Sequence, residues 1–363
     1  MAQKALLLGG TGKTGVVLGR RLAQLGWEVR LASRGELPVP EGFDHVSLDR
    51  SDTAALRSAL RDGVDVLVDF VAFEPEHASQ LLELRGLVRS LVVISSAAVY
   101  TDEQGRSLAD VREGETVRFP VPIPERHRTV EAGGEDYAAK KVAIERTLLG
   151  QDFVPVTIVR AGAIYGPGDV YSREWHFVKR ALDSRPVVIL AHRGESRFHP
   201  VSTENLAELL RLAAERPRTR VLNAGDPDPP IVLEIGRAIA RVLEHEWTEI
   251  LLPGPPHEEV VGGNPWGVPA PFVLDMTEAE FEVGYRPVTS YEKAVRPTCE
   301  WLVEATRGRD WREVLVGAGD HYAKLFDYEA EDDFLRKLTA DSGGPTGSRG
   351  VARRPAGRPK PRS

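Results

Sequence analysis

The chain has 363 residues, 42% of them hydrophobic, enough to bury one large core or two unequal ones. Its net charge of −7 gives no global drive toward nucleic acid or an anionic membrane, and no apolar stretch approaches the roughly 20 residues that span a bilayer. A single cysteine, Cys299, excludes an intrachain disulfide and a cysteine-based zinc site, and reads as a small buried hydrophobe.

Strand and helix patterns alternate from the start. One lysine precedes the apolar strand Ala5–Leu8, a beginning without the pattern of a signal peptide, so a soluble cytoplasmic protein is expected. A glycine-rich turn follows, then a helical pattern through Val16, Leu18, Leu22 and Leu25. Next come a strand at 28–32, a loop with Pro38 and Pro40, and a short strand near 45–48. Asp52 caps a helix through Leu60, and 64–71 is a continuous apolar run, as in a strand covered on both faces. A helix at 76–87, a buried strand at 91–95, a proline-rich irregular stretch at 101–134, a helix at 135–149 and a strand at 154–160 complete this part. Beyond Gly166-Pro167-Gly168 the spacing predicts helices at 173–184, 203–216, 232–245 and 290–307, strands at 187–190 and 221–223, and a loop at 253–271. A last acidic helix is expected near 320–338. From Ser342 on there are six basic residues, no acids and almost nothing apolar, a composition that cannot offset its ordering entropy.

This rhythm predicts an α/β fold. A Rossmann-like doubly wound parallel sheet is expected over 1–168. A smaller C-terminal α/β substrate domain follows over 169–340, partly interleaved with the first, and then a disordered basic tail over 341–363.

The glycine-rich turn reads Gly9-Gly10-Thr11-Gly12-Lys13-Thr14-Gly15. Glycines between a strand and a helix let a phosphate approach the backbone and meet free N–H groups at the helix start. Gly9, Thr11, Gly12, Lys13, Thr14 and Gly15 are therefore the candidate cofactor-binding residues of this turn. Gly12-Lys13-Thr14 imitates the end of a P-loop, but that pattern needs a glycine where Leu7 stands. Further on, Tyr137 and Lys141 stand four apart, on one face of the predicted helix. A neighbouring ammonium favours a phenolate, which lowers the tyrosine pKa toward neutrality and makes proton transfer feasible. Ser95 and Ser96 end the strand before that helix, where a hydroxyl can hold the same substrate oxygen.

These features resemble the short-chain dehydrogenase/reductase superfamily, and within it the extended, epimerase/dehydratase-like branch. The resemblance rests on Gly9-x-x-Gly12-x-x-Gly15, Ile94-Ser95-Ser96-Ala97-Ala98-Val99-Tyr100, Tyr137-x-x-x-Lys141 and the segment from Val159 to Asp169, and it covers most of 4–240. It implies that Tyr137 is the acid/base, that Lys141 lowers its pKa and binds the nicotinamide ribose, and that Ser96, four residues before Tyr100, holds the substrate. It further implies that Asp49 and Arg50 line an adenine pocket and that the backbone at Ala72 passes the nicotinamide side. Ala97 and Ala98 stand where the dehydratases of this branch carry Asp-Glu, which disfavours water elimination. The 101–134 stretch is longer than usual for the family.

The second strand ends Leu31-Ala32-Ser33-Arg34-Gly35, without the carboxylate that bonds a ribose 2′-hydroxyl. Arg34 can clamp a 2′-phosphate instead, so the cofactor is NADP or NAD, with NADP favoured. His176, His192 and His199 are not at ligand spacing, and no metal is expected. The expected function is hydride and proton exchange at a carbinol or ketone carbon of a sugar or sugar-nucleotide-like small molecule, with epimerisation first and NADPH-dependent carbonyl reduction second. A non-catalytic nucleotide-sensing or RNA-associated protein is the rival from another class. No nucleic-acid or membrane partner is expected, and a homodimer is compatible with the reading.

Overall fold

The computed structural model describes residues 2–112, 116–342 and 352–355. Its strands are β1 (Lys4–Leu8), β2 (Glu28–Ser33), β3 (Asp44–Ser47), β4 (Val66–Asp69), β5 (Leu91–Ser96), β6 (Val156–Ala161), β7 (Ala163–Tyr165), β8 (Val187–Leu190), β9 (Pro200–Ser202), β10 (Arg220–Ala224), β11 (Thr248–Leu251) and β12 (Ala352–Pro355). The chain forms two units, one of Met1–Ile164, His199–Pro227 and Phe272–Ser290, the other of Tyr165–Phe198, Asp228–Pro271 and Tyr291–Ser363.

The first unit carries a seven-stranded sheet in the order β10-β6-β5-β4-β1-β2-β3, with every neighbouring pair parallel. Side chains alternate between its faces. Leu7, Leu31, Val68, Val92 and Val159 pack with Leu18 and Leu22 of α1 (Lys13–Gln24) on one side. Leu6, Leu8, Leu67, Val93 and Ile158 pack on the other with α2 (Thr53–Ala59), α3 (Pro75–Glu83) and, beyond the short α4 (Leu108–Arg112), α5 (Tyr137–Leu149). Both faces are covered, which is why these strands read as continuous apolar runs rather than alternating ones. Strand order reverses between β1 and β4, and in open α/β sheets ligands bind in the crevice at such a switch point.

Residues 199–227 return to this unit. Leu206, Leu209, Leu210 and Ala213 share the buried cluster of α1, and β10 pairs along β6 from Arg220↔Thr157 to Ala224↔Ala161. The long 101–134 stretch is tied to the same unit. The backbone of Ile123 bonds both Val273 O (2.7 Å) and Asp275 N (2.9 Å), and Val130 N donates to Val99 O (2.8 Å).

In the second unit β8 pairs with β11 in parallel, and β12 adds antiparallel to β11. Of the stretch expected to be a disordered tail, only 352–355 in that strand and the end of the preceding helix are described. Phe177, Trp247, Trp266 and Tyr291 build this unit's core, and Cys299 is buried in it. Strand β11 and a helix at Thr277–Val283 escape the periodicity reading, being short and flanked by loops. The expected acidic helix is interrupted. It resumes at Tyr328–Ser342 because the Asp327 carboxylate accepts from Ala330 N (3.0 Å) and restarts it, and Arg180 and Arg185 then hold Glu331 and Asp332.

His199 pins the seam between β9, β10 and the 272–275 segment. Its Nδ1 accepts from Leu274 N (2.9 Å), so Nε2 donates to Asp226 O (2.7 Å). A Cβ on Gly225 would lie 2.4 Å from the ring. Burial pushes the imidazole down to about 4. The folded chain therefore refuses a proton that the unfolded chain accepts near 6.5. Stability from this group is complete above pH 6.5 and is lost as the pH falls through 4, on the order of 3 kcal/mol in all. Urea unfolding between pH 7 and 4 should show that loss, and His199→Gln should be weaker at pH 7 with a correspondingly flatter slope.

Candidate active site

The glycine turn is shaped by contacts, not only by backbone freedom. Gly9 has φ +75°, and a Cβ there would meet Val71 Cγ1 at 2.8 Å. A Cβ on Gly15 would lie 2.5 Å from Gly10 O, so this glycine lets α1 settle directly on the turn. Gly12 differs, because a Cβ there meets only Gly9 O, at 3.2 Å. Gly12 is the N-cap of α1, which begins with no side-chain cap and no acid in its first turn. Its leading N–H groups thus face the switch point without a competing carboxylate. Thr11 and Thr14 are buried in the turn, and Lys13 Nζ reaches Ile164 O (3.4 Å).

The ends of β2 and β3 bring three predicted residues to different places. Arg34 is largely exposed and its guanidinium pairs with Glu36 (3.1 Å). Asp49 is exposed, and its carboxylate, held below the usual range by the Ser51 N–H (2.8 Å), stays ionised. Arg50, expected beside an adenine, is buried, with its Nη2 on Asp69 Oδ2 (2.6 Å) and its Nη1 on Gln80 Oε1. Its side chain is committed to the interior.

The ends of β4 and β5 and the start of α5 bring the rest together. The Asp136 carboxylate accepts from Ala138 N (2.9 Å) and Ala139 N (3.0 Å), which starts α5 at Tyr137. Lys141, one turn on, is 2% exposed. Its ammonium donates to Ala72 O (2.7 Å) beyond β4 and to Ile94 O (2.9 Å) in β5. It lies 4.7 Å from the Phe73 ring centroid and 5.7 Å from that of Tyr137. Burial pushes this lysine down to about 8. The neighbouring serines divide. Ser95 is buried and donates to Glu145, whereas Ser96 Oγ accepts from Ala98 N (3.1 Å) and lies beside the Tyr137 hydroxyl.

At Tyr137 the direction differs from the one that spacing suggested. The Tyr137 phenol sits above its ordinary value, not below it. Although the residue is half-exposed, desolvation of its hydroxyl raises it, the Ser96 hydroxyl pulls the other way, and the Lys141 charge is turned toward the two carbonyls. A group so tuned holds its proton at neutral pH.

Beneath these residues lies a polar layer that the motif reading missed. Glu145, one turn beyond Lys141, grips Arg160 of β6 through Nε to Oε1 (3.1 Å) and Nη2 to Oε2 (2.6 Å). Arg160 also donates to Glu125 O (2.9 Å) and lies 4.9 Å from the Tyr100 ring, whose hydroxyl donates to Asn223 Oδ1 (2.6 Å). Phe73, half-exposed beside Lys141, was missed too. The available signals were the spacing of Tyr137, Lys141 and Glu145 along one helix face, and charged residues ending the apolar runs at Asp69 and Arg160.

No family model matches the chain. A stretch of 203 residues is 30% identical to the chloroplast stem-loop binding protein of 41 kDa b of Arabidopsis thaliana, covering 52% of this chain and 49% of that protein. The chain thus spans about half the length of that relative. Over 264 residues it is 25% identical to the 2'-dehydrokanamycin reductase of Streptomyces kanamyceticus, covering 69% of each. Among solved structures, the UDP-glucose 4-epimerase of Thermus thermophilus in complex with NAD superimposes with a TM-score of 0.60 at 21% identity, covering 82% of this chain and 98% of that one. The chain shares the fold of such sugar-nucleotide epimerases.

The Arg160–Glu145 pair sets a measurable stability term. Removing one partner leaves a buried charge alone, so Glu145→Ala should cost about 3–5 kcal/mol in denaturant unfolding. Glu145→Leu combined with Arg160→Met should recover most of that loss.

Proposed function

We propose that this protein is an NAD(P)-dependent oxidoreductase acting at a carbinol or ketone carbon of a sugar or sugar-nucleotide-like substrate. The observation that carries the reading is the meeting of Ser96 hydroxyl, Tyr137 phenol and Lys141 ammonium beside the switch point where α1 opens. A dinucleotide fits the residues there. Its phosphates would rest on the turn from Gly9 to Gly15, where Gly12 leaves room and α1 is uncapped. When bound, it supplies the hydride acceptor or donor. Arg34 would take a 2′-phosphate, since its exposed pairing with Glu36 is weak competition for a doubly charged group. Asp49 remains ionised and accessible for a hydroxyl or amino group of the cofactor.

Ser96 would donate to the substrate oxygen and hold it at the Tyr137 hydroxyl. Tyr137 would deliver or accept the proton that accompanies hydride transfer. Lys141 spends two of its three N–H donors on Ala72 and Ile94, which leaves one for a hydroxyl of the ribose.

Reduction of a carbonyl by an exchanging NADPH is a second reading that one observation favours. One relative, 25% identical over 264 residues, is named as a reductase. Another relative is named as a stem-loop binding protein.

Two measurements test these readings. Tyr137→Phe should lower turnover of any accepted substrate by about two to four orders of magnitude while dinucleotide affinity stays nearly unchanged. Full activity in that variant would remove Tyr137 from the chemistry. Denaturing the purified protein and identifying released dinucleotide separates the rest. Stoichiometric NAD or NADP indicates an epimerase that recycles its cofactor, and an empty site that takes up NADPH indicates a reductase. A site that binds neither dinucleotide overturns the enzyme reading.

A further inference from the structure

A second buried ion pair stands behind Lys141, in a part of the site for which the resemblance implies an adenine-lining residue. Asp69, the last residue of β4, is fully buried at the end of an apolar strand. Its Oδ2 accepts from Arg50 (2.6 Å) and its Oδ1 from Val71 N (2.8 Å). Arg50 also donates to His77 O (3.3 Å) and to Gln80 Oε1, while Gln80 Nε2 returns a hydrogen bond to Arg50 O (3.0 Å). At the other end of the same turn, His77 Nδ1 accepts from Phe73 N (3.1 Å) and Glu74 N (3.3 Å). Every residue from Val71 to Glu74 is thereby tied, directly or through a neighbour. This turn carries Val71 against Gly9, the Ala72 carbonyl onto Lys141 Nζ, and the Phe73 ring over the same ammonium.

We propose that Arg50 and Asp69 are a positioning pair for Lys141, holding the 69–74 turn that grips the ammonium and balancing its charge. The inference rests on the reading of Lys141 as a site residue, and its primary measurement needs no turnover. Lys141 is a buried cation whose direct partners are two neutral carbonyls. The charged groups that bear on it are Asp69 at the end of β4, Arg50 beyond β3, and Glu145 on its own helix, itself paired with Arg160. Asp69 and Glu145 favour the ammonium, and Arg50 opposes it. With both members present, Arg50 offsets part of the Asp69 charge, and the lysine remains ionised at neutral pH despite its burial. Either one alone shifts the balance, in opposite directions. An apolar residue at position 50 would do neither. The presence of arginine there is explained by the carboxylate that ends β4.

The test uses the full chain with lysine labelled by 13C at Cε and the Lys141 resonance assigned by its disappearance in Lys141→Arg. Titration by NMR should place the parent midpoint near 8. Asp69→Asn keeps the shape and an acceptor for Val71 N but leaves Arg50 unpaired, so the midpoint should fall by about one unit or more. Arg50→Gln leaves the carboxylate uncompensated, so the midpoint should rise. Opposite signs in two variants that keep the parent circular dichroism are not produced by general loosening. Midpoints that stay put, or move in one direction in both, overturn the proposal. If Asp69→Asn does not fold, Arg50→Gln decides by itself, since a rise supports the pair and an unchanged or lower midpoint refutes it. Expected shifts together with full turnover in Tyr137→Phe would leave the positioning role standing and remove the acid/base assignment instead.

Discussion

The buried ammonium of Lys141 is the constraint around which the candidate site is organised. A lysine with 2% exposure must find hydrogen-bond acceptors inside the protein or give up its charge. It finds them in Ala72 O, beyond the end of β4, and in Ile94 O, within the adjacent parallel strand β5. Ile94 lies one residue past the last β4–β5 pair, Asp69↔Val93, and Ala72 lies beyond β4, so the β4–β5 ladder claims neither carbonyl. The sheet therefore supplies the acceptors, the helix supplies the cation, and the bond between them sets the height of α5 above the switch point. Tyr137, one turn earlier on α5, and Ser96, two residues after Ile94, come together as a consequence.

Two buried arginine–carboxylate pairs flank this ammonium, Arg50–Asp69 and Arg160–Glu145. Pairs of this kind add little net stability compared with well-packed apolar side chains, because each charge must be desolvated. Their effect here is geometric. Asp69 ties down the turn that bears Ala72, and Glu145 draws Ser95 inward while Ser96, on the opposite side of the strand, meets Tyr137.

The fold itself is compatible with more than one activity. An epimerase in complex with NAD shares the architecture, one relative is named as a reductase, and another as a stem-loop binding protein. What argues for chemistry is local: a hydroxyl, a phenol and an ammonium together, next to an uncapped helix start lined by glycine.

Much of this was legible from the chain alone because it is local. The glycine turn, the two-sided burial of the parallel strands and the Tyr137–Lys141 register follow from spacing over a few residues, which short-range backbone sterics and helical periodicity control. The serines could be located at a strand end by the same means. The choice of Ser96 came only from resemblance. The strand pleat explains it, since adjacent side chains leave on opposite faces. Other features depend on which strands become neighbours. Periodicity does not reveal that residues 199–227 rejoin the first unit, that Arg50 turns inward to Asp69, or that Lys141 aims at carbonyls rather than at Tyr137. Those partners are 19 to 69 residues apart, brought together by parallel crossovers. The sequence by itself determined the elements and the residue types at their ends. Only the tertiary structure decided the partners of Lys141 and Arg50, because they depend on through-space distances that no local pattern encodes.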